Sequence, residues 1–457
     1  MFSIKDFKNK KILVAGLGKS GISVLNLLHS KGFNVKGCDK NKKILESDEI
    51  KKISNQKIKI VIANNFEEEI KTSDLIILSP GIDQREEVYI KAVNQGKNVI
   101  GELEAAWSFI DKPVAAITGT NGKSTVTELT ADILAHSGKK VFRGGNLGVP
   151  LSQGISDKSE FDIFVLEISS FQLDTCVNFS PQVGTILNIT PDHLDRYEDF
   201  CGYKNSKLNL FKNFNKENTS IINYNESLKL ETKGKKSFFN IFDPSFNSAF
   251  ANKKELKISF NKKVEKISLK NFKLKGRHNL ENLSAAALTA LESGGSIKGI
   301  KKAIETFNPL PHRMEFLGSI NNISFINDSK ATNPDSVIKA VECLEGEISL
   351  ILGGKDKGYN YGVMSKILNE KVKNIILIGE ASKKINSQIN FKRKAVFSIT
   401  MEDAVKKGFE NISEKGTVIL SPGCSSFDMF KNYSHRGEAF KNSFLNLKNR
   451  ENNKNDY

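Results

Sequence analysis

Short, nearly uninterrupted apolar runs recur along the chain, each closed by a small, acidic or turn-forming residue and followed by a stretch of mixed polarity. Lys11 to Ala15 (KILVA) reads as a buried strand, followed by a Gly-rich turn and a helix through Leu28. Phe33 to Cys38 reads as a second strand ending at Asp39, and Asp74 to Ser79 (DLIILS) as another, closed by Pro80-Gly81. Runs that do not alternate apolar with polar belong to strands covered on both faces, so their alternation with helices predicts a parallel, helix-flanked sheet. A second series starts at Pro113 to Ile117 (PVAAI), continues into a helix over Val126 to His136, and includes Phe161 to Ile168 and Val183 to Ile189. A third includes the ISFI strand before Asn327, then Ile348 to Leu352, Asn374 to Ile378 and Thr417 to Leu420. The expected fold class is α/β, in three blocks joined near residues 101 and 309. Asn213 to Lys275 is rich in Asn and Lys, with short strand-like runs and no legible chemistry. The closing KNRENNKNDY is expected to fray as a solvated tail.

Composition narrows this picture rather than changing it. The 457 residues suffice for several cores. No apolar run reaches the roughly 18 residues of a membrane span. The charged start, MFSIKDFKNKKILVAG, does not read as a secretory leader, so a cytoplasmic protein is expected. Five scattered cysteines without a CxxC argue for free thiols and against a zinc cluster. The net charge of +16 comes from lysines spread along the chain with Asn and Ile. No basic-aromatic module accompanies them, so no nucleic-acid partner is expected.

Chemistry concentrates in Thr118 to Thr125 (TGTNGKST), placed between the PVAAI strand and a helix. A strand, a Gly-rich turn and a helix mouth carrying Lys then Ser make a phosphate cradle. Backbone N–H groups and the helix dipole attract the anion, Lys123 adds charge, and Ser124 can reach a magnesium ion. Gly119, Thr120, Asn121, Gly122, Lys123, Ser124 and Thr125 are the candidate ATP-binding run. Ile117 stands where the longer phosphate-loop pattern carries its first Gly, so the spacing is GxxGKS.

The other candidates are strand-end residues. GLGKSG at Gly16 to Gly21 fits the dinucleotide fingerprint, with Asp39 downstream to meet a ribose hydroxyl; the pattern also serves a nucleotide-sugar pyrophosphate, and a purely structural turn is the lesser alternative. A dehydrogenase is the rival function, but it leaves the second phosphate loop unexplained. Glu167 ends its strand as a Mg²⁺ ligand or as a solvated carboxylate. Asn188 to Tyr197 (NITPDHLDRY) carries Asp192, His193 and Asp195, with His193 either a ligand or an ordinary hydrogen-bonded histidine. Lys207 reads as one surface lysine among many. Asn279 and Asn282 share a helix face in GRHNLEN, suited to a base or sugar or to capping. Arg313 is a candidate phosphate-binding guanidinium. Asp328, Lys330 and Thr332 in NDSKATN, the GGKDKG loop, and Ser425, Ser426, Lys431, Tyr433 and Arg436 in LSPGCSSFDMFKNYSHRG together suit a small dianionic substrate.

At these residues the chain resembles the Mur ligase family, from about Lys11 to Arg436. TGTNGKST and NDSKATN mark the family broadly; GLGKSG, LEISSFQL, DHLDRY and LSPGCSSFDMFKNY are similar to its D-glutamate-adding branch. The resemblance implies three domains. Residues 1–101 would be a Rossmann-like UDP-sugar-binding domain, 102–309 a central P-loop ATPase with a mainly parallel sheet, and 310–457 a Rossmann-like domain that brings the amino acid. It implies an ATP- and Mg²⁺-dependent ligase joining D-glutamate to UDP-N-acetylmuramoyl-L-alanine in peptidoglycan precursor synthesis, working as a monomer. Ser20, Asp39, Ser79 and Gly81 would hold the uridine and diphosphate, and Asn146 the substrate. Ser124 and Glu167 would bind the first metal; His193 and a carbamylated Lys207 match positions for a second. Asn279, Asn282, Arg313 and Asp328 match nucleotide contacts, and Lys330, Thr332, Lys357, Ser426 and Tyr433 the incoming glutamate. Lys123, His193, Lys207 and Lys357 are the catalytic candidates. Lys40 and Asn41 depart from the family's Thr and Arg, and Tyr433 and Phe427 from its Phe and Leu.

Overall fold

The computed structural model describes residues 4–55, 58–64, 66–146, 148–157, 160–193, 195–225, 232–274 and 276–455. Part of the Asn/Lys-rich segment, 226–231 and 275, Leu194 of DHLDRY, and the last two residues of the tail lie outside them. The chain gathers into two compact units. One comprises Met1–Ile189, Cys201–Asn271 and Glu281–Thr306; the other comprises Thr190–Phe200, Phe272–Leu280 and Phe307–Tyr457.

The first unit holds two sheets. In the smaller, five parallel strands lie in the order Lys59–Ile62, Val35–Asp39, Ile12–Ala15, Leu75–Leu78, Asn98–Gly101. The two central apolar runs, Ile12–Ala15 and Leu75–Leu78, are buried throughout, which is why they lack alternation. The larger sheet has nine strands: Lys263–Ser268, Glu255–Phe260, Ser248–Ala251, Lys235–Phe239, Thr219–Asn223, Val183–Ile186, Val114–Thr118, Ile163–Glu167 and Val141–Gly145. It is parallel except for two antiparallel pairings at one edge. The strand-like runs of the Asn/Lys-rich segment therefore extend this sheet. Its edge strand, KVEKIS, interleaves charge with apolar residues, which discourages further pairing.

Residue 101 marks the crossing from one sheet to the other. The strand Asn98–Gly101 leads directly into the helix Glu102–Trp107. Gly101 N–H donates to the Thr175 carbonyl (3.1 Å). Glu104, fully buried, accepts from three successive N–H groups, those of Val177 (3.0 Å), Asn178 (2.8 Å) and Phe179 (3.0 Å).

The second unit is built on six strands in the order Glu315–Ile320, Ile323–Asn327, Gly416–Leu420, Glu347–Gly353, Asn374–Ile378, Val396–Ser398. Only the first pair is antiparallel. The expectation of a frayed tail is corrected here, because the last helix runs Tyr433–Asn455. Phe440 and Phe444 bury its first half, Arg450 bonds Glu402 (2.9 Å), and KNRENNKN holds no Gly or Pro to stop propagation. The phosphate-loop helix is Lys123–His136, one turn longer than its apolar pattern. All five cysteines are free thiols, and among the described residues no group of three or more His, Cys, Asp or Glu is placed to hold a metal. No helix among them is long and apolar enough to cross a membrane.

Candidate active site

In the first unit the phosphate loop leaves Val114–Thr118, a fully buried strand, and enters the helix at Lys123. Gly119 (φ +154°) and Gly122 (φ +88°) take backbone conformations that side chains disfavour. A Cβ on Gly122 would come 2.4 Å from Asn282 Oδ1, so this nucleotide candidate lies against the loop. Lys123 Nζ donates to the carbonyls of Gly119 (2.7 Å) and Thr120 (2.8 Å). Thr125 is buried on the same first helical turn.

Glu167 is 2% exposed, which removes the solvated alternative. Its Oε2 accepts from Ser124 Oγ (2.6 Å), and its Oε1 from Asn146 Nδ2 (2.8 Å). Asn146 also donates its N–H to the Glu167 carbonyl (2.8 Å). Hydroxyl, carboxylate and carboxamide thus converge where the loop becomes helix.

Lys207 is the larger correction. It is 1% exposed, not on the surface, on the helix Phe200–Leu208. Its Nζ donates to the Gly119 carbonyl (2.9 Å) and stands 4.7 Å from the centre of the Tyr203 ring. Tyr203 Oη lies 3.1 Å from Thr120 Oγ1. The sequence pattern missed Tyr203 because it is one apolar-compatible position in a polar helix.

At the carboxyl ends of the smaller sheet the Gly16–Gly21 turn, Asp39 and Ser79 come together. A Cβ on Gly21 would sit 1.9 Å from the Gly16 carbonyl oxygen, and one on Gly16 3.1 Å from Ser79 Cβ. Asp39 accepts from Leu17 N–H (2.6 Å) and Asn41 N–H (2.8 Å), so its first task is to shape the turn. Each carboxylate oxygen keeps a lone pair for a ribose hydroxyl. Ser20 lies in the first turn of the helix Lys19–Ser30, and Gly81 is exposed in the loop after Leu75–Leu78.

In the second unit Asp192 is the centre of a buried network. It accepts from Tyr359 Oη, from Asn333 Nδ2 (3.1 Å) and from His193 N–H (2.8 Å), and pairs with Lys357 Nζ at 3.7 Å. Burial alone would raise its pKa, but the charges of His193 and Lys357 and the bonds from Tyr359 and Asn333 win. The carboxyl stays well below the usual carboxylate range. His193 takes φ +56°, in the left-handed region.

Asp328 behaves oppositely. Burial pushes its carboxyl up to about 7, only partly opposed by Ser421 Oγ (2.9 Å), Met314 N–H (3.2 Å) and the Arg313 charge. Lys330 Nζ stands 4.9 Å from the Tyr433 ring centre, so these two glutamate candidates meet. Ser426 is buried and Thr332 half-buried in the neighbouring loops. Asn279 and Asn282 are one turn apart on Arg277–Glu292, the first counted with the second unit and the other with the first.

Arg436, expected among the substrate-facing cations, is instead 1% exposed. It ties two loops together, donating to Ser329 Oγ (3.1 Å), Ser329 O (2.8 Å), Cys424 O (3.1 Å) and Ser425 O (3.0 Å). A second brace joins the Cys424 loop to the loop that carries Asp356. Lys384 Nζ donates to Asp356 Oδ2 (2.6 Å), and Tyr361 Oη donates to Asp356 Oδ1 (2.9 Å) and lies 3.1 Å from Cys424 Sγ.

Comparison with known proteins adds the following. Three family models match: the Mur ligase MurD-like N-terminal domain over 10–101, the Mur ligase middle domain over 117–290, and the Mur ligase glutamate ligase domain over 312–424. The chain is 38% identical to UDP-N-acetylmuramoylalanine–D-glutamate ligase of Caldanaerobacter subterraneus subsp. tengcongensis over 452 residues, 97% of this chain and 100% of that one. The enzyme of the same name from Desulfosudis oleivorans is 38% identical over 447 residues, covering 96% and 97%. Among solved structures, MurF ligase from Thermotoga maritima in complex with ADP matches with a TM-score of 0.60 at 15% identity, over 98% of both chains. A pseudomurein peptide ligase type C from Methanothermus fervidus matches at 0.59 and 20% identity, over 96% and 100%. These two likenesses concern the fold.

Proposed function

The chain belongs to the Mur ligase family, and from that premise we propose that it joins D-glutamate to UDP-N-acetylmuramoyl-L-alanine at the expense of ATP, in peptidoglycan precursor synthesis. One observation carries the reading: a phosphate loop whose Ser124 and buried Glu167 are bonded at 2.6 Å, in a chain matched over 97% of its length by a D-glutamate ligase. The domains 1–101, 102–309 and 310–457 take the UDP-sugar, ATP and the amino acid respectively. The protein acts in the cytoplasm as a monomer.

A carboxylate is a poor acylating agent, so the acceptor's carboxylate first attacks the γ-phosphorus of ATP and becomes an acyl phosphate, with ADP leaving. The amine of D-glutamate then attacks the acyl carbon through a tetrahedral intermediate, and inorganic phosphate leaves. The first step is governed by position and charge. Lys123 turns from the loop's own carbonyls to the β,γ-phosphates, and the helix mouth adds N–H groups and dipole. Ser124 and Glu167 form an all-oxygen donor set that suits a hard cation completed by waters and phosphates, and are the residues that would hold Mg²⁺. Mg²⁺ supplies neutralisation of phosphate charge when bound.

Lys207, as a carbamate, would present an anionic oxygen in place of a buried ammonium; His193 carries a separate proposal as a metal ligand. Asn279, Asn282, Arg313 and Asp328 serve the nucleotide, and Ser20, Asp39, Ser79, Gly81 and Asn146 the UDP-substrate. Lys357, Lys330, Thr332, Ser426 and Tyr433 receive D-glutamate, two carboxylates calling for cations and hydroxyls. The test is phosphate release with UDP-N-acetylmuramoyl-L-alanine, ATP and a panel of amino acids. Release should depend on D-glutamate; equal release with L-alanine or a diamino acid refutes the assignment.

A further inference from the structure

The strand Val183–Ile186 ends beside the phosphate-loop strand, and the chain then keeps company with the loop itself. Leu187 N–H donates to the Thr118 carbonyl (3.0 Å), and Thr120 N–H donates to the Asn188 carbonyl (2.8 Å). From there the Asn188 side chain extends the pairing. Its Oδ1 accepts from Asn121 N–H (2.8 Å) and its Nδ2 donates to the Asn121 carbonyl (3.0 Å). A carboxamide so placed imitates a strand neighbour, satisfying donor and acceptor of one residue at once. The same segment also approaches Gly119 closely, since a Cβ there would stand 3.0 Å from Leu187 Cβ.

This pairing decides which part of the loop meets an anion. A peptide N–H serves one acceptor well, and those of Thr120 and Asn121 point to Asn188. The orientation of these peptides sets the one that follows, where Gly122 turns at φ +88° into the helix bearing Lys123 and Ser124.

We propose that Asn188 is a positioning residue for the nucleotide phosphates, holding the Thr120–Asn121 peptides so that the Gly122–Ser124 end of the loop receives them. The proposal rests on the ATP-dependent reading above. Leucine would fill the space without either bond, and aspartate would keep the acceptor while losing the donor. Neither reproduces the pair.

The experiment measures ADP affinity by calorimetry on the full chain, with KM values for ATP and D-glutamate, for Asn188→Ala and Asn188→Asp. Asn188→Ala should weaken ADP about tenfold and raise KM for ATP alike, with KM for D-glutamate within about twofold of the parent. Asn188→Asp retains one bond to the loop and supplies the same split should the alanine variant not fold. ADP affinity unchanged in the folded variants, or an equal rise in both KM values, overturns the proposal. ADP affinity reads Asn188 directly and amide formation reads the proposed reaction, so the two fail separately.

Discussion

Lys207 poses the sharpest question of any single residue. An ammonium withdrawn from water costs several kcal/mol unless its surroundings repay it, and this one sits against the Gly119 carbonyl and the Tyr203 face. Conversion to a carbamate would place an oxygen anion there instead. Lys207→Ala should therefore be nearly inactive and regain part of its turnover with acetate or formate, read as phosphate release; full activity without them removes the residue from the mechanism. Lys123→Ala should lower ATP-dependent product formation by at least ~100-fold, the scale of losing one charge-stabilising group in phosphoryl or acyl transfer. Residues of this kind differ in how plainly they show in sequence. Lys123 is announced by its neighbours in TGTNGKST, whereas Lys207 lies in a polar helix with no local pattern, and its burial depends on what packs over it.

Among elements, the loops after Glu347–Gly353 and Gly416–Leu420 show how the proposed D-glutamate-binding residues are held. These strands are adjacent and parallel, and Lys355 N–H donates to the Ser425 carbonyl (2.9 Å) between their loops. The Lys384–Asp356–Tyr361–Cys424 chain braces the same pair. Tyr361→Phe removes one member with little change of shape. It should raise KM for D-glutamate about fivefold, roughly the worth of one hydrogen bond, while KM for ATP stays unchanged; steady-state kinetics with each substrate varied checks this. The parallel strands were legible because continuous apolar runs are what two covered faces demand. The expected and observed bounds of Asn374–Ile378 coincide for that reason. The strands from Lys235 onward showed only as short strand-like runs without bounds, because exposed positions dilute their apolar signal with lysine. Arg436 misled for a related reason. A guanidinium among serines reads as substrate-facing until its four bonds to loop oxygens are seen. Asn188 drew no reading of its own, lying where an apolar run expected to reach Ile189 overlaps the NITPDHLDRY loop, and the strand stops at Ile186.

For the molecule as a whole, two buried carboxyls pull stability in opposite directions with pH. Asp192 is held below its ordinary range, so its contribution is present above that range and fades as pH falls through the folded value. Asp328 is raised from 3.8 to about 7, so the folded chain binds the extra proton. Its contribution is present below the ordinary value and is lost as pH rises through about 7. Asp328→Asn should flatten the fall in unfolding free energy between these values, measured by denaturant titration at several pH values. Glu104→Gln should cost roughly 3 kcal/mol in the same assay, because an amide cannot accept all three N–H groups that the carboxylate gathers. That carboxylate sits just past the passage between two sheets, where a flexible joint would ordinarily be sought. With Gly101 pinned to Thr175 three residues earlier, the passage is welded. Any swing that admits or releases reactants has to pivot elsewhere, and deuterium uptake at Val177 to Phe179 should stay slow whether or not nucleotide is bound.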